Sequence, residues 1–577
     1  MSVSNARNEL KTLPWADTRR LCWLIVPLSL LCVLRAIQLA WLCDDAFISF
    51  RYARNLVDGL GLVFNAGEYV EGYTNLLWTL AIAACMKFGL APEIMAHVLG
   101  IASWLALSVV LAGWSYLRAK QAVRPWMPLA AMLNLVLADI QHWATGGLET
   151  SLFSLLSCSG LVMLAAGGLR RSRLLAAGVV LALACTTRPD GVIFAAIGVA
   201  YGLGMRALGT PAERARDAGW VALPLLVVGA ALVTFKLRYY GDLFPTAFYS
   251  KSALVHNYQQ GVTYVWLFFS RNWFALAFLP LALWLARTRL NSLATRSNGL
   301  FLAAFLSFSI YVAHSSGDYM YARRLIPALP FLWLLYEDLL LVCPTLRRVA
   351  ILFCATLLAA VLPRPIFPNT DIQTINGVIN EWAFYPSSYV PRARADGELV
   401  DRLLGATPVR AIFQGGMCMF GYYSQLPYLV EMTGLTQYSL AKQPLRKRGL
   451  PGHEKTADDA WLSAHNIHLI FFHKDPALFE NGYRQFELVR FVDQITAMVW
   501  KYSDAVMDPL RQRGDVDFVP IEAVLAQAEH DLLAASYEDA QKMLAFLERY
   551  YLADAPSARA PLVARLRQLV ANKTRAP

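Results

Sequence analysis

The sequence predicts a polytopic α-helical membrane protein, with about 11 transmembrane helices plus one re-entrant or interfacial helix, followed by a mixed α/β domain outside the membrane. Three observations carry this. Of the 577 residues, 57% are hydrophobic and 16% charged, with a mean hydropathy of +0.41; soluble domains carry roughly 25% charged residues. Apolar runs of membrane-crossing length recur through the first 363 residues. The charge is also divided: residues 1–363 hold 29 Lys/Arg and 17 Asp/Glu, whereas residues 364–577 hold 23 and 24. The net +11 therefore lies wholly in the apolar half, which argues against a basic protein seeking nucleic acid.

A membrane helix needs about 20 mostly apolar residues. Segments 21–42, 94–117, 126–142, 148–168, 174–186, 192–208, 220–235, 273–286, 300–313, 325–342 and 349–362 come near that requirement. Alternate loops between them carry Arg7, Lys11, Arg19, Arg20; Arg118, Lys120, Arg124; Arg170, Arg171, Arg173; Arg206, Arg214, Arg216; Arg287, Arg289, Arg296; and Arg347, Arg348. These are 18 of the 29 basic residues, and the positive-inside rule places them in the cytoplasm. The alternation holds only if a twelfth apolar stretch, 74–89, does not cross. It reads as an interfacial helix on the outer face with Lys87 at headgroup level. The N-terminus is then cytoplasmic and residues 364–577 are extracytoplasmic. Segment 21–42 reads as an uncleaved anchor, being too long for a signal-peptide core, with bulky Leu42 before Cys43.

Two domains follow from this partition: 1–363, a transmembrane catalytic domain whose first outer loop is 43–93, and 364–577. In the latter, 409–413 and 467–472 read as buried strands and 521–551 as helical. Of the nine cysteines only Cys418 lies here, so no disulfide framework forms within this domain. Tyr422, Tyr423, Tyr428 and Tyr438 read equally as sugar-stacking faces or as core and rim aromatics. His465, His468 and His473 lack a fourth ligand, so no zinc site is expected. The Gly-Gly pairs at 146–147 and 415–416 lack the Lys-Ser/Thr of a nucleotide phosphate loop. The run Arg446-Lys447-Arg448 reads as a solvated face.

The outer loops differ in kind from the inner ones. They carry Asp44, Asp45, Arg51, Arg54, Asp58, Glu68 and Glu71; Asp139 and Glu149; Arg188 and Asp190; Arg238, Asp242 and Lys251; and Asp318, Arg323 and Arg324. Ionisable groups at the hydrocarbon edge are costly to hold and mark functional sites by default. Asp44, Ile48, Arg51, Asn55 and Asp58 share one face of a helix beginning at Ala46, ended by Gly59 and Gly61. Phe47, Phe50, Leu56, Val57 and Leu60 are expected to give that helix its membrane-facing area. Carboxylates and a guanidinium at headgroup depth suit an enzyme whose activated substrate is a lipid phosphate. For a sugar on a polyprenyl phosphate, transfer needs a base for the acceptor hydroxyl and cations for the departing phosphate. Asp44 or Asp45 suits the first role. Arg51, Arg188, Lys251, Arg323 and Arg324 suit the second. Glu149, Asp190, Asp242, Asp318, Tyr319, His453 and Glu454 are the candidates for holding sugar and acceptor. Asp44 and Asp45 could also hold a divalent cation, which a monophosphate donor does not require.

The stretch Asp44-Asp45-Ala46-Phe47-Ile48-Ser49-Phe50-Arg51-Tyr52-Ala53-Arg54-Asn55-Leu56, with Gly59-Leu60-Gly61-Leu62-Val63-Phe64-Asn65 and Glu71-Gly72-Tyr73-Thr74-Asn75, resembles glycosyltransferases of the C superfold (GT-C). Within that superfold it most resembles the terminal arabinofuranosyltransferases of mycobacterial arabinan. Thr145-Gly146-Gly147-Leu148-Glu149-Thr150, Thr187-Arg188-Pro189-Asp190-Gly191, Tyr239-Tyr240-Gly241-Asp242-Leu243-Phe244-Pro245-Thr246-Ala247-Phe248-Tyr249-Ser250-Lys251, Gly317-Asp318-Tyr319-Met320-Tyr321-Ala322-Arg323-Arg324-Leu325-Ile326-Pro327-Ala328-Leu329-Pro330 and Arg448-Gly449-Leu450-Pro451-Gly452-His453-Glu454-Lys455 follow in the same order. The resemblance covers about residues 20–475. It implies a decaprenyl- or other polyprenyl-phosphate donor, arabinofuranose as the sugar, catalysis by Asp44-Asp45, and a place in cell-envelope biogenesis at the bacterial plasma (inner) membrane. The acceptor does not transfer with the fold; a glycan, a lipid or a surface protein such as a pilin fits. A transporter or flippase is the competing class, but the charges cluster at one edge, Arg35 excepted, and no half-to-half symmetry is visible. A non-catalytic envelope-assembly protein would not need the carboxylate pair.

Overall fold

Glycine and buried polar side chains decide how the apolar runs pack as helices and where they break. The computed structural model describes residues 15–122, 126, 128–167, 170–204, 210–251, 255–277, 279–280, 293–342, 374–375, 377–386, 388–413, 416–447, 449, 452–472, 489–491, 496–511, 516–518, 520–553 and 559–573. These fall into two compact units. The first comprises Met1–Val57, Tyr73–Phe244 and Ser252–Ser387, and the second Asp58–Gly72, Pro245–Lys251 and Ser388–Pro577. The expected boundary at 363/364 lies outside the described residues. So do segment 349–362, Arg7, Lys11, Arg124, Arg206, Arg287, Arg289, Arg347, Arg348, Gly415, Arg448 and His473.

The first unit is helical throughout its membrane-like part: α1 (Trp15–Gln38), α2 (Ala46–Val57), α3 (Leu76–Lys87), α4 (Pro92–Ala122), α5 (Leu129–Val136), α6 (Ala138–Thr145), α7 (Thr150–Ala165), α8 (Arg171–Thr187), α9 (Val192–Gly204), α10 (Pro211–Tyr239), α11 (Tyr258–Arg271), α12 (Leu293–His314) and α13 (Leu329–Val342). Among the described residues, Pro92–Ala122, Pro211–Tyr239 and Arg296–His314 are long and apolar enough to cross a membrane. A fourth span forms if α6 and α7, bent by 115°, are taken together. Small residues let the helices close on one another. A Cβ on Gly160 would lie 2.6 Å from Leu181 Cγ, and one on Gly178 would lie 2.4 Å from the Val221 carbonyl. These contacts seat α8 between α7 and α10. Leu226, Val227 and Leu237 of α10 point outward as exposed apolar side chains, a face suited to lipid.

Two expectations are corrected. Segment 126–142 is not one helix, because extended Leu137 (φ −69°, ψ 116°) separates α5 from α6. Polar side chains make that break tolerable inside the fold: Gln141 Nε2 donates to the Leu135 carbonyl (2.7 Å), and Asn134 Nδ2 to Ser108 Oγ (2.9 Å). Phe47 and Phe50 do not supply a membrane face. Both are fully buried and pack edge to face at 5.0 Å, leaving Val57 and Leu60 as the exposed apolar residues of that stretch. Helix α3, at 12 residues, spans about 18 Å, short of the roughly 30 Å hydrocarbon core.

The second unit is built on a six-stranded sheet ordered β4-β3-β5-β7-β6-β8. Its strands are β3 (Arg410–Phe413), β4 (Tyr428–Glu431), β5 (Leu469–Phe471), β6 (Val489–Phe491), β7 (Thr496–Val499) and β8 (Val516–Phe518); β1 (Thr374–Ile375) and β2 (Val378–Ile379) pair in the first unit. β3 runs parallel to β4 and β5, and the remaining pairs are antiparallel. β3 and β5 fall within the two segments read as strands, both buried on each face. The helical stretch 521–551 divides at the Ser536 cap into α14 (Ile521–Ala534) and α15 (Tyr537–Tyr550). Asn65 continues the sheet edge, accepting from Leu429 N (3.1 Å) and donating to Leu429 O (2.9 Å). Tyr422, Tyr423 and Tyr428 are buried; Arg410 covers the Tyr428 ring at 3.4 Å. They are core aromatics, not sugar-stacking faces. His465 stacks on Trp461, and His468 Nδ1 accepts from Arg410 N.

Candidate active site

The site in the first unit begins at a glycine turn. Gly147 (φ +82°) sits so close to the first loop that a Cβ would meet Leu42 Cδ2 at 2.7 Å. Cys43 N donates to the Gly146 carbonyl (3.0 Å), and Trp78 Nε1 to the Gly147 carbonyl (3.1 Å). This docks the start of α2 against the 145–149 turn. The Asp44 carbonyl accepts from Phe47 N to open the helix (3.0 Å). Asp44 is buried and Asp45 half-buried.

A second turn brings the cations. Helix α12 stops at His314, and Ser316, Gly317 and Ala322 all take positive φ. A Cβ on Gly317 would lie 2.6 Å from Tyr264 Cβ, so glycine is required there. Ala322, strained at φ +66°, sends the two following arginines apart. Arg323 NH2 donates to Glu149 Oε1 (3.1 Å), whereas Arg324 NH1 donates to the Gly317 carbonyl (2.6 Å) and its guanidinium lies 5.2 Å from the Tyr311 ring centre. Glu149 also accepts from Arg188 NH1 (3.3 Å) and Asn75 Nδ2 (2.9 Å). Asn75 Oδ1 in turn accepts from Ser49 and Thr79, each at 3.0 Å. Arg188 is further held by both oxygens of Asp190 (3.0 and 2.8 Å). Glu149 and Asp190, expected to hold sugar, are therefore engaged as counter-ions of buried arginines, because a guanidinium in this interior needs a matched carboxylate. Among the described residues, Arg323 Nε is buried without a hydrogen-bond partner.

Glu381 completes the group. It opens the short helix Glu381–Phe384 and is almost wholly buried. Cys43 Sγ lies 3.9 Å from its Oε2. The segment is tied down on both sides. Ile379 N donates to the Tyr319 carbonyl (2.7 Å), Tyr321 N to the Ile379 carbonyl (3.0 Å), and Trp382 Nε1 to the Leu39 carbonyl (3.1 Å). Burial, then Asp45, Asp44 and Asp318, push the Glu381 carboxyl well above the ordinary carboxylate range, with Arg323 opposing. Burial with Asp45, Glu381, Cys43 and Asp318 likewise raises the Tyr319 phenol, and burial with Glu381 and Asp45 raises the Cys43 thiol. Buried Glu381 thus lies within electrostatic reach of Asp44, half-buried Asp45, Asp318 and Arg323, and Tyr319 within reach of Asp45, Asp318 and Glu381.

The other expected residues lie as follows. Arg51 is buried within α2, its guanidinium drawn below its ordinary value by burial and Arg54. Asp242 Oδ1 accepts from Phe244 N (3.0 Å) and closes a turn. Lys251, His453 and Glu454 belong to the second unit. There a Cβ on Gly452 would touch the Lys251 side chain at 3.4 Å, and Glu454 accepts from Gly449 N (3.2 Å). Among the described residues, no group of three or more His, Cys, Asp or Glu is placed to hold a metal ion. The sequence reading gave no role to Glu381 or Asn75. Asn75 stood within a quoted motif, but Glu381 lies in a polar stretch where a carboxylate carries no signal.

Two curated relatives match the chain. One is a terminal β-(1→2)-arabinofuranosyltransferase of Corynebacterium glutamicum, 28% identical over 321 residues, covering 50% of this chain and 46% of that protein. The other is a protein of the same description from Mycobacterium tuberculosis, 29% identical over 245 residues, covering 40% and 38%. The chain is similar to terminal arabinofuranosyltransferases. It spans less than half the length of the curated relatives it matches. The oligosaccharyltransferase of Archaeoglobus fulgidus, a solved structure, aligns with a TM-score of 0.43 at 8% identity over 77% of this chain and 67% of that one. No family model matches.

Proposed function

We propose that the protein is a multi-pass membrane glycosyltransferase that moves a sugar from a polyprenyl-phosphate donor to a glycan, lipid or protein acceptor on the extracytoplasmic side. The name of its two relatives supports arabinofuranose as the sugar. The observation that carries the reading is that buried Glu381 lies within electrostatic reach of both Asp44-Asp45 and Arg323, and that Arg323 Nε–H has no partner among the described residues. Carboxylates and an unengaged guanidinium N–H in one site are what this transfer requires. The carboxylate takes the proton of the acceptor hydroxyl, whose oxygen bonds to the anomeric carbon. The bond from that carbon to the phosphate oxygen breaks, and its electron pair stays on the phosphate. The free N–H of Arg323 donates to that oxygen as its charge grows, a fixed donor in a site of low dielectric. Arg188, whose guanidinium is shared between Asp190 and Glu149, holds the geometry.

Asp44→Asn and Asp45→Asn, assayed in membranes with a polyprenyl-phosphate sugar, test this. Loss of a general base costs about 10²- to 10⁴-fold, so at least one variant should lose turnover by that factor. Full turnover in both would remove the base from this pair.

A further inference from the structure

Arg323 is carried by a turn that a relaxed backbone would not adopt. Its N–H donates to the Tyr321 carbonyl two residues back (2.9 Å), and Ala322 between them takes φ +66°. That pairing is a γ-turn with a positive φ at its centre, the rare and strained kind, and Ala322 holds it without glycine's freedom. Such a conformation persists only where its surroundings enforce it. Trp143 supplies that enforcement from outside the turn. Its Nε1 donates to the same Tyr321 carbonyl (2.9 Å), pinning the peptide plane whose rotation would let Ala322 relax. The Trp143 ring also lies against the Arg323 guanidinium, which stands 5.8 Å from the ring centre, within cation–π reach. Backbone and side chain of Arg323 therefore share one support.

Trp143 is itself fixed. It is buried in α6 and meets Trp41 edge to face at 5.3 Å, while Trp41 Nε1 donates to the His142 carbonyl (2.9 Å). A Cβ on Gly146 would come within 3.2 Å of both indoles, so the 145–149 turn closes directly over the pair. From that turn Glu149 accepts from Arg323 Nη2 (3.1 Å), and Met320 Sδ lies 3.1 Å from Nη1. The Nε–H is the edge of the guanidinium without a partner among the described residues.

We propose that Trp143 is a positioning residue of the transfer site. Through its N–H on the Tyr321 carbonyl and its ring on the guanidinium, it presents the Arg323 Nε–H to the phosphate oxygen of the donor. The proposal rests on the transferase reading given above. Trp143 acts through the arginine and not on the substrate: a donor already held in place needs no reorganisation as charge develops on the leaving oxygen.

The test uses purified full-length protein in vesicles, with a polyprenyl-phosphate sugar as donor. Trp143→Phe keeps a ring and deletes the N–H. It should lower kcat/KM for the donor about 10- to 100-fold, the scale of a catalytic group displaced by about an ångström. Gly146→Ala crowds the indole without removing it; it should give a smaller loss of the same kind, and it serves the same test if Trp143→Phe does not fold. A double-mutant cycle with Arg323→Lys shows whether Trp143 acts through the arginine. Added to Arg323→Lys, Trp143→Phe should cost less than about 3-fold more, because the Nε–H it presents is gone; a fully additive loss overturns the proposal. Hydrogen exchange gives a readout without turnover. Exchange in the segment 320–324 should quicken in Trp143→Phe while that of α7 and α12 stays as in the wild type. Unchanged exchange in that segment, or wild-type kcat/KM in Trp143→Phe, overturns the proposal. Wild-type vesicles that transfer no sugar, with exchange still quickened in Trp143→Phe, would instead sink the transferase reading and leave the Trp143 clamp on the Arg323 turn standing.

Discussion

Replacing Glu149 by alanine should destabilise the first unit more than any other single change at this site. Its Oε1 accepts from Arg323 and Arg188, and its Oε2 from Asn75. The two arginines do not suffer equally. Arg188 keeps both bonds to Asp190, so its charge stays matched. Arg323 is left with its bond to Met320 Sδ among the described residues. Stripping one partner from a buried ion pair costs about 3–5 kcal/mol, most of it the stranded charge. Glu149→Gln keeps the shape and one acceptor oxygen but converts charge-assisted bonds to neutral ones, about half as strong, so roughly half the loss should remain. The assay is thermal unfolding of the purified full chain, run as a double-mutant cycle with Arg323→Met. Removing both partners also removes the stranded charge, so the double variant should be more stable than Glu149→Ala alone. Additive losses, or a Glu149→Ala as stable as wild type, would refute the counter-ion argument.

Two further predictions follow from how the side chains are engaged. Arg323→Lys should raise the donor KM by about 10- to 100-fold, the loss of one charge-assisted bond of about 1.5–3 kcal/mol, while Arg188→Lys should lower stability more than donor use; steady-state kinetics with unfolding curves would show the reverse ordering if Arg188 holds the phosphate. Asn65→Ala should expose the edge of β4, leaving Leu429 N and O without the Asn65 amide, at about 1–3 kcal/mol; hydrogen exchange at Leu429 unchanged from wild type would count against that role.

How much of this was legible in the sequence depends on contrast. Asp44, Asp45, Asp318 and Arg323 stand at the ends of apolar runs, where each charge is conspicuous because holding it there is costly. The pairing of those charges was not legible. Glu149 and Arg188 read as two separate groups, and only folding shows one carboxylate shared by two guanidiniums. Glu381 was invisible for the opposite reason: beyond residue 363 acidic residues are common, so burial, not composition, distinguishes it. Apolar content misled where it is continuous but not uniformly helical. The run 126–142 breaks at Leu137 because Gln141 can satisfy a carbonyl from within. Phe47 and Phe50, apolar enough for lipid, are used inside the fold.

The same contrast explains why the site sits where it does. A carboxylate pair can serve as a base only if something nearby keeps it charged, yet burying charge demands partners. Here the demand is divided: Arg188 and Arg323 are neutralised by Asp190 and Glu149, while burial and the neighbouring aspartates push the Glu381 carboxyl well above the ordinary carboxylate range. Among the described residues of this site, the Arg323 Nε–H is buried without a hydrogen-bond partner. On the transferase reading proposed above, a donor phosphate oxygen is the acceptor that this N–H would meet, so substrate binding and the hydrogen bonding of the fold point to the same atom.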